Sequence, residues 1–123
     1  MIPSDFAERW KKLIEEATPR AKIYEFKDHK HYFIVDLPRK SAELHGSSFA
    51  VQCKEEDEQC YIEADLVTPP ELVDLVEKDV KPYGCEVEDI HRHGLLFESD
   101  HVHVGCKTSI NEVEELIKYF RWF

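Results

Sequence analysis

Two neighbouring segments alternate apolar and other side chains strictly enough to leave little choice of local structure. Phe49, Val51 and Cys53 alternate with Ala50, Gln52 and Lys54, and Cys60, Ile62, Ala64 and Leu66 alternate with Tyr61, Glu63 and Asp65. A period of two fits a strand with one buried face and does not fit a helix. The acidic run Glu55-Glu56-Asp57-Glu58 lies between them, so the two segments form an antiparallel hairpin with a polar tip. In that register Cys53 faces Cys60 on the core side. Directly opposed strand residues stand close enough for a disulfide, which makes Cys53 and Cys60 candidates for one, the alternative being two buried thiols.

Residues 85–106, CEVEDIHRHGLLFESDHVHVGC, carry a second set of strands. A two-residue turn at Ser99-Asp100 sets Phe97 opposite Val102 and Leu95 opposite Val104, leaving Leu96, Glu98, His101 and His103 on the other face. A slip of one residue would bury the histidines and expose the valines, so the pattern selects the register. Cys85 and Val87 begin a preceding strand, and Gly94 marks a turn or bulge with His91 and His93 at the corner. Cys85 and Cys106 bracket this meander, but their separation does not follow from the sequence.

Three other segments repeat at spacings of three and four. Residues 4–17 place Phe6, Trp10, Leu13, Ile14 and Ala17 on one helical stripe, with Asp5 as cap and Pro19 as stop. Thr68-Pro69-Pro70-Glu71 reads as a capping box ahead of the stripe Leu72, Val73, Val76 and Val80, and Pro82 with Gly84 ends it. Ser109 with Glu112 opens a last helix lined by Ile110, Val113, Leu116, Ile117 and Phe120. Two more strands fall near residues 21–27 and 31–37. The second is apolar on both faces at Tyr32-Phe33-Ile34-Val35, which places it inside a sheet with a helix on at least one side.

These elements predict one α+β domain over residues 1–123. Its sheet has about seven mainly antiparallel strands, and three helices pack mainly on one face, in the order α-ββββ-α-βββ-α. That order resembles the helix and strand order of the type III secretion chaperone-like fold, a likeness that would imply an acidic, dimeric, peptide-binding protein. A weaker pattern suggests an internal α-β-β duplication: residues 29–36 lie over residues 91–98 at an offset of 62, each after a helix and a proline.

The function classes narrow with charge. Twenty-six acidic against 16 basic residues give a net charge of −10, which opposes binding to a phosphate backbone and favours basic partners. No run of 18 apolar residues and no basic-then-apolar leader occurs, so a cytoplasmic address without membrane contact is expected. Asn111 is the only asparagine and Gln52 and Gln59 the only glutamines, a bias known from hyperthermophile proteins. In such organisms intracellular disulfides are an accepted exception.

Few residues carry chemistry beyond this. His29/His31, His91/His93 and His101/His103 are His-x-His triplets, and on a strand such a pair can offer two imidazoles to one zinc. His101 and His103 lie on the best-defined strand, with Glu98 as the nearest carboxylate for a third ligand or an orienting partner. That arrangement would suit a zinc-binding protein or a metal-dependent hydrolase. Against it stand the C-terminal aromatics: Tyr119 and Trp122 lie on one side of the last helix while Phe120 and Phe123 take another, more than one core face can bury. The preferred expectation is a non-catalytic, chaperone-like or regulatory interaction module without a cofactor. It is homodimeric or holds a protein partner, and Tyr119, Trp122 and Phe123 are its interface residues.

Overall fold

Alternation and helical periodicity resolve into one sheet with helices on one side. The computed structural model describes residues 2–26, 31–39, 46–93 and 99–123, and their side chains except those of Arg92 and His93. In chain order the elements are α1 (Phe6–Ala17), β1 (Lys22–Glu25), β2 (Tyr32–Asp36), β3 (Ser48–Cys53) and β4 (Gln59–Thr68). There follow α2 (Val73–Val80), β5 (Cys85–His93), β6 (Ser99–Ser109) and α3 (Ile110–Phe120). Short 3-10 turns, Pro70–Leu72 and Lys81–Tyr83, bracket α2, and Gly84 leaves the second at a φ of +77°, a conformation open to glycine. The strands are antiparallel throughout and stand in the order β1-β2-β3-β4-β6-β5.

Every strand pair sends its apolar set to the same side. Phe33 and Val35 of β2, Phe49 and Val51 of β3, Ile62 and Leu66 of β4, and Val102 and Val104 of β6 are all buried beneath the helices. Helix α3 lies across β4 and β6 with Val113, Leu116, Ile117 and Phe120, and Phe120 meets Phe49 at 5.8 Å between ring centres. Helix α1 packs beside it through Phe6, Trp10 and Ile14, with Trp10 6.0 Å from Phe33. Their C-terminal ends are tied: Arg121 Nη1 donates to the Leu13 carbonyl at 2.7 Å and Thr18 Oγ1 donates to the Arg121 carbonyl at 3.1 Å. Helix α2 covers β5 with Val73, Val76 and Val80. No helix among the described residues is long and apolar enough to cross a membrane.

Both cysteine pairs are bridged. Cys53 sits opposite Cys60 in the β3–β4 ladder and Cys85 opposite Cys106 in the β5–β6 ladder, and each pair forms a disulfide on the buried face. The first is the pairing expected from the hairpin register. The second depends on a register that the sequence left open.

That second register corrects the expected meander. Among the described residues the sheet has six strands, not seven, because β5 runs unbroken from Cys85 through His93 and pairs directly with β6. Ser99 and Asp100, expected as the turn, are the first residues of β6. Val102 therefore faces Ile90 and Val104 faces Val87, while Leu95, Phe97 and Glu98 lie outside the described residues. The physical reason is a β-bulge between Val87 and Asp89, which hides the continuity of the strand by setting its apolar residues three apart.

The expected capping boxes do not form. Thr68 is the last residue of β4, its hydroxyl buried without a hydrogen bond, and α2 starts only at Val73. Ser109 makes no side-chain cap; instead the Ile110 amide donates to the Glu58 carbonyl at the tip of the β3–β4 hairpin, 3.1 Å away. Of the stretches laid over each other at the 62-residue offset, residues 32–36 form β2, whereas residues 94–98, which match them, lie outside the described residues.

Candidate functional site

Since the described helices gather on one side, no described helix covers the second face of the sheet, and its side chains follow from the register; Val67 and His101, toward one end of it, are nevertheless buried. One row across it reads Tyr24, Ile34, Ala50, Glu63, Gly105, Glu86 from β1 to β5. The rows beside it place Tyr32, Gln52, Tyr61 and Lys107 on one side and Asp36, Ser48, Asp65, His103 and Asp89 on the other. The face is thus divided. Its β1–β3 half is aromatic and aliphatic, and its β4–β5 half is acidic.

On the apolar half Tyr24 is 46% exposed and Phe26 40%, and the Phe26 and Tyr32 rings meet edge to face at 4.9 Å. Lys54 lies 5.2 Å over the Tyr61 ring at the margin. Tyrosine and phenylalanine left open to water on a flat sheet are the usual material of an interface core.

The acidic half centres on Gly105. A Cβ at this position would collide with the Glu88 carboxylate, which lies directly on the β6 backbone, and Glu63 Oε1 stands 3.5 Å from the same point. Two carboxylates thus converge over one residue without a side chain. The Glu63 carboxyl is held above its ordinary value, by burial first and by the charge of Glu88 second, with His103 pulling the other way. Among the described residues neither Glu63 nor Glu88 is paired with a lysine or arginine.

Three imidazoles adjoin these carboxylates. His91 of β5 pairs across the ladder with His101 of β6, its Nε2 2.6 Å from Asp89 Oδ2 and its ring 5.7 Å from that of His103. His101 is buried with Nδ1 3.0 Å from Asp65 Oδ1, and His103 Nε2 is 3.8 Å from the same oxygen. That oxygen is shut off from water and receives no hydrogen bond of good geometry. His101 and Asp65 also border a cleft of about 510 Å³ with Asp36, Ser47 and Ser48.

The expected metal ligands divide. His101 and His103 share the open face as expected, but the carboxylate before them is Asp65, and Glu98 lies outside the described residues. Among the described residues no three His, Cys, Asp or Glu side chains are grouped to hold a metal ion. His31 stands apart, its Nε2 2.8 Å from Glu55 Oε2, beside a cleft of about 770 Å³ near Cys53.

The three expected interface aromatics also divide. Tyr119 is half-buried and donates to Asp79 Oδ2 at 3.0 Å; burial first, then this hydrogen bond and the Asp79 charge, hold its phenol above the usual range. Phe123 packs against the core and its carbonyl accepts from Ser47 Oγ. Trp122 is 60% exposed at a cleft of about 460 Å³ between α2 and α3.

Two features of the face were missed from sequence, and each has a signal. The spacing Val87-Glu88-Asp89-Ile90 is one residue too long for strict alternation, which is how a bulge reads and how His91 comes onto the face of His101 and His103. A lone glycine inside the β6 pattern marks a close approach, here that of Glu88. No protein-family model, no curated protein and no solved structure matches this chain.

Proposed function

We propose that this chain is a non-catalytic protein-interaction module whose docking surface is the bare face of the sheet. One observation carries the reading: Tyr24, in line with Ile34 and Ala50, and Phe26, against the Tyr32 ring, lie open to water on a face that no described helix covers. Catalysis asks for titratable groups converging in a water-excluding cavity, whereas His91, His103, Glu63 and Glu88 stand on an open sheet. Self-association belongs to the same reading, with Trp122 as the exposed anchor. The scarcity of asparagine and glutamine supports a thermophile as the source, in whose cytoplasm two buried disulfides are an accepted exception; in any other source the bridges favour an oxidising compartment.

The test is selection of binders from a random displayed-peptide library against the full chain, followed by amide NMR mapping. Recovered peptides are expected to shift the amides of Tyr24, Ile34, Ala50 and Tyr61. Selection that yields no binder, or binders confined to the helical side, refutes the proposal.

A further inference from the structure

We infer that the occupant of the open face is a basic, extended segment of a partner protein, with one Lys or Arg over Gly105 between Glu63 and Glu88 and an apolar side chain over Ile34. This rests on the docking role proposed above for the same face.

Four observations lead there. Gly105 carries no side chain, and the space a Cβ would take is filled by the Glu88 carboxylate with Glu63 Oε1 3.5 Å from the same point, so two carboxylates meet above the β6 backbone. The Glu63 carboxyl holds its proton more tightly, through burial first and the Glu88 charge second and against the pull of His103, and no described lysine or arginine is paired with either carboxylate. Around the seat Glu86 adds acid, Asp65 and Asp89 stand against the imidazoles of His103 and His91, and Lys107 is the described lysine on that half. An ammonium or guanidinium placed there gains charge-assisted hydrogen bonds from both carboxylates. The fourth observation is the row itself, which leads from the seat straight to the apolar half.

The row also sets a spacing. From Gly105 on β6 through β4 and β3 to Ile34 on β2 is three strand intervals, about 14 Å at roughly 4.8 Å each. An extended peptide advances about 3.4 Å per residue and returns to the same face every second residue, so four residues also cover about 14 Å. A basic residue at i and an apolar one at i+4 therefore reach both ends together. A second copy of this chain fits poorly, because it brings a net charge of −10 and the same carboxylates to the seat. A nucleic acid would set phosphates against them.

The test uses three fluorescently labelled peptides with the full chain, read by anisotropy and by amide NMR. One has Lys and Leu four residues apart in a Ser/Thr background, one has Gln for that Lys, and one has Lys and Leu two apart. The first is expected to bind with shifts at Glu63, Gly105 and Ile34. About tenfold of that affinity should be lost on replacing Lys by Gln, in the Glu63→Gln/Glu88→Gln variant, or on shortening the spacing. Both glutamates are exposed, so the variant keeps its fold, checked by its circular dichroism. If the Gln peptide binds the same face equally well, or the variant binds as the parent does, the basic seat is refuted while the docking face stands. If all three peptides leave the spectrum unchanged, both are refuted.

Discussion

Replacing Cys85 and Cys106 together by alanine should cost this fold more than replacing Cys53 and Cys60, and the difference follows from chain length. The Cys85–Cys106 bridge spans a sequence separation of 21 and the Cys53–Cys60 bridge one of 7. A cross-link restricts the unfolded chain by about 2.1 + 1.5R ln n cal/mol/K. That gives about 3.3 kcal/mol at 25 °C for the long loop and about 2.4 kcal/mol for the short one. Each replacement also removes two small buried side chains on the core face, so the packing losses are alike and largely cancel between the variants. Urea unfolding followed by far-UV circular dichroism, with the remaining bridge verified by intact mass, reads the result. With a slope of about 2 kcal/mol/M, the midpoints should fall by at least about 1.6 M and 1.2 M. A variant that keeps the parent midpoint, or a Cys53/Cys60 variant that loses more than the Cys85/Cys106 one, would refute the reasoning.

Three further outcomes are expected. Glu63 has a raised folded carboxyl value, so its contribution to stability is fully present below the unfolded value and is lost as the pH rises through the folded one. Glu63→Gln should therefore be more stable than the parent at pH 7, with the gap closing below about pH 4, as denaturant melts across that range will show. Tyr119 should stay protonated at pH 11, where an ordinary tyrosine has ionised, in a difference-absorbance titration against Tyr119→Phe; that substitution removes one hydrogen bond to Asp79 and should cost about 0.5–1 kcal/mol. Trp122→Ala should shift the concentration-dependent mass toward monomer in sedimentation equilibrium, and should leave the melting curve in place at concentrations where the parent is itself monomeric, because the side chain is 60% exposed.

The legible part of this fold is the part that a single period governs. Alternation in residues 49–54 and 60–66 specified not only two strands but the Cys53–Cys60 opposition, because a hairpin with one buried face has one workable register. Helix α3 was equally readable, since Val113, Leu116, Ile117 and Phe120 have nowhere else to go. The reading failed where the period breaks. Val87 and Ile90 are three apart, so strict alternation ends β5 early and favours a turn at Ser99-Asp100 that the pairing with β6 excludes. The capping boxes failed for another reason: local hydroxyl-to-amide bonds lose to the β4–β6 ladder, which claims Thr68 and Ser109 as strand ends. The open face was half legible. His101 and His103 could be put on one side from parity alone, but the meeting of Glu63 and Glu88 over Gly105 joins strands far apart in the chain, and no local pattern reports it.

Glu88 is the one residue of β5 that the ladder does without. Val87 pairs with Val104 and Asp89 with His103, so excising Glu88 would leave Asp89, Ile90 and His91 on their present faces and give an unbroken zipper with β6. Substitution swaps one functional group for another, whereas this deletion would subtract a single negative charge and straighten the strand while leaving its other partners as they are. Shortening the chain by one residue would thus uncouple what the edge contributes to folding from what it contributes to recognition.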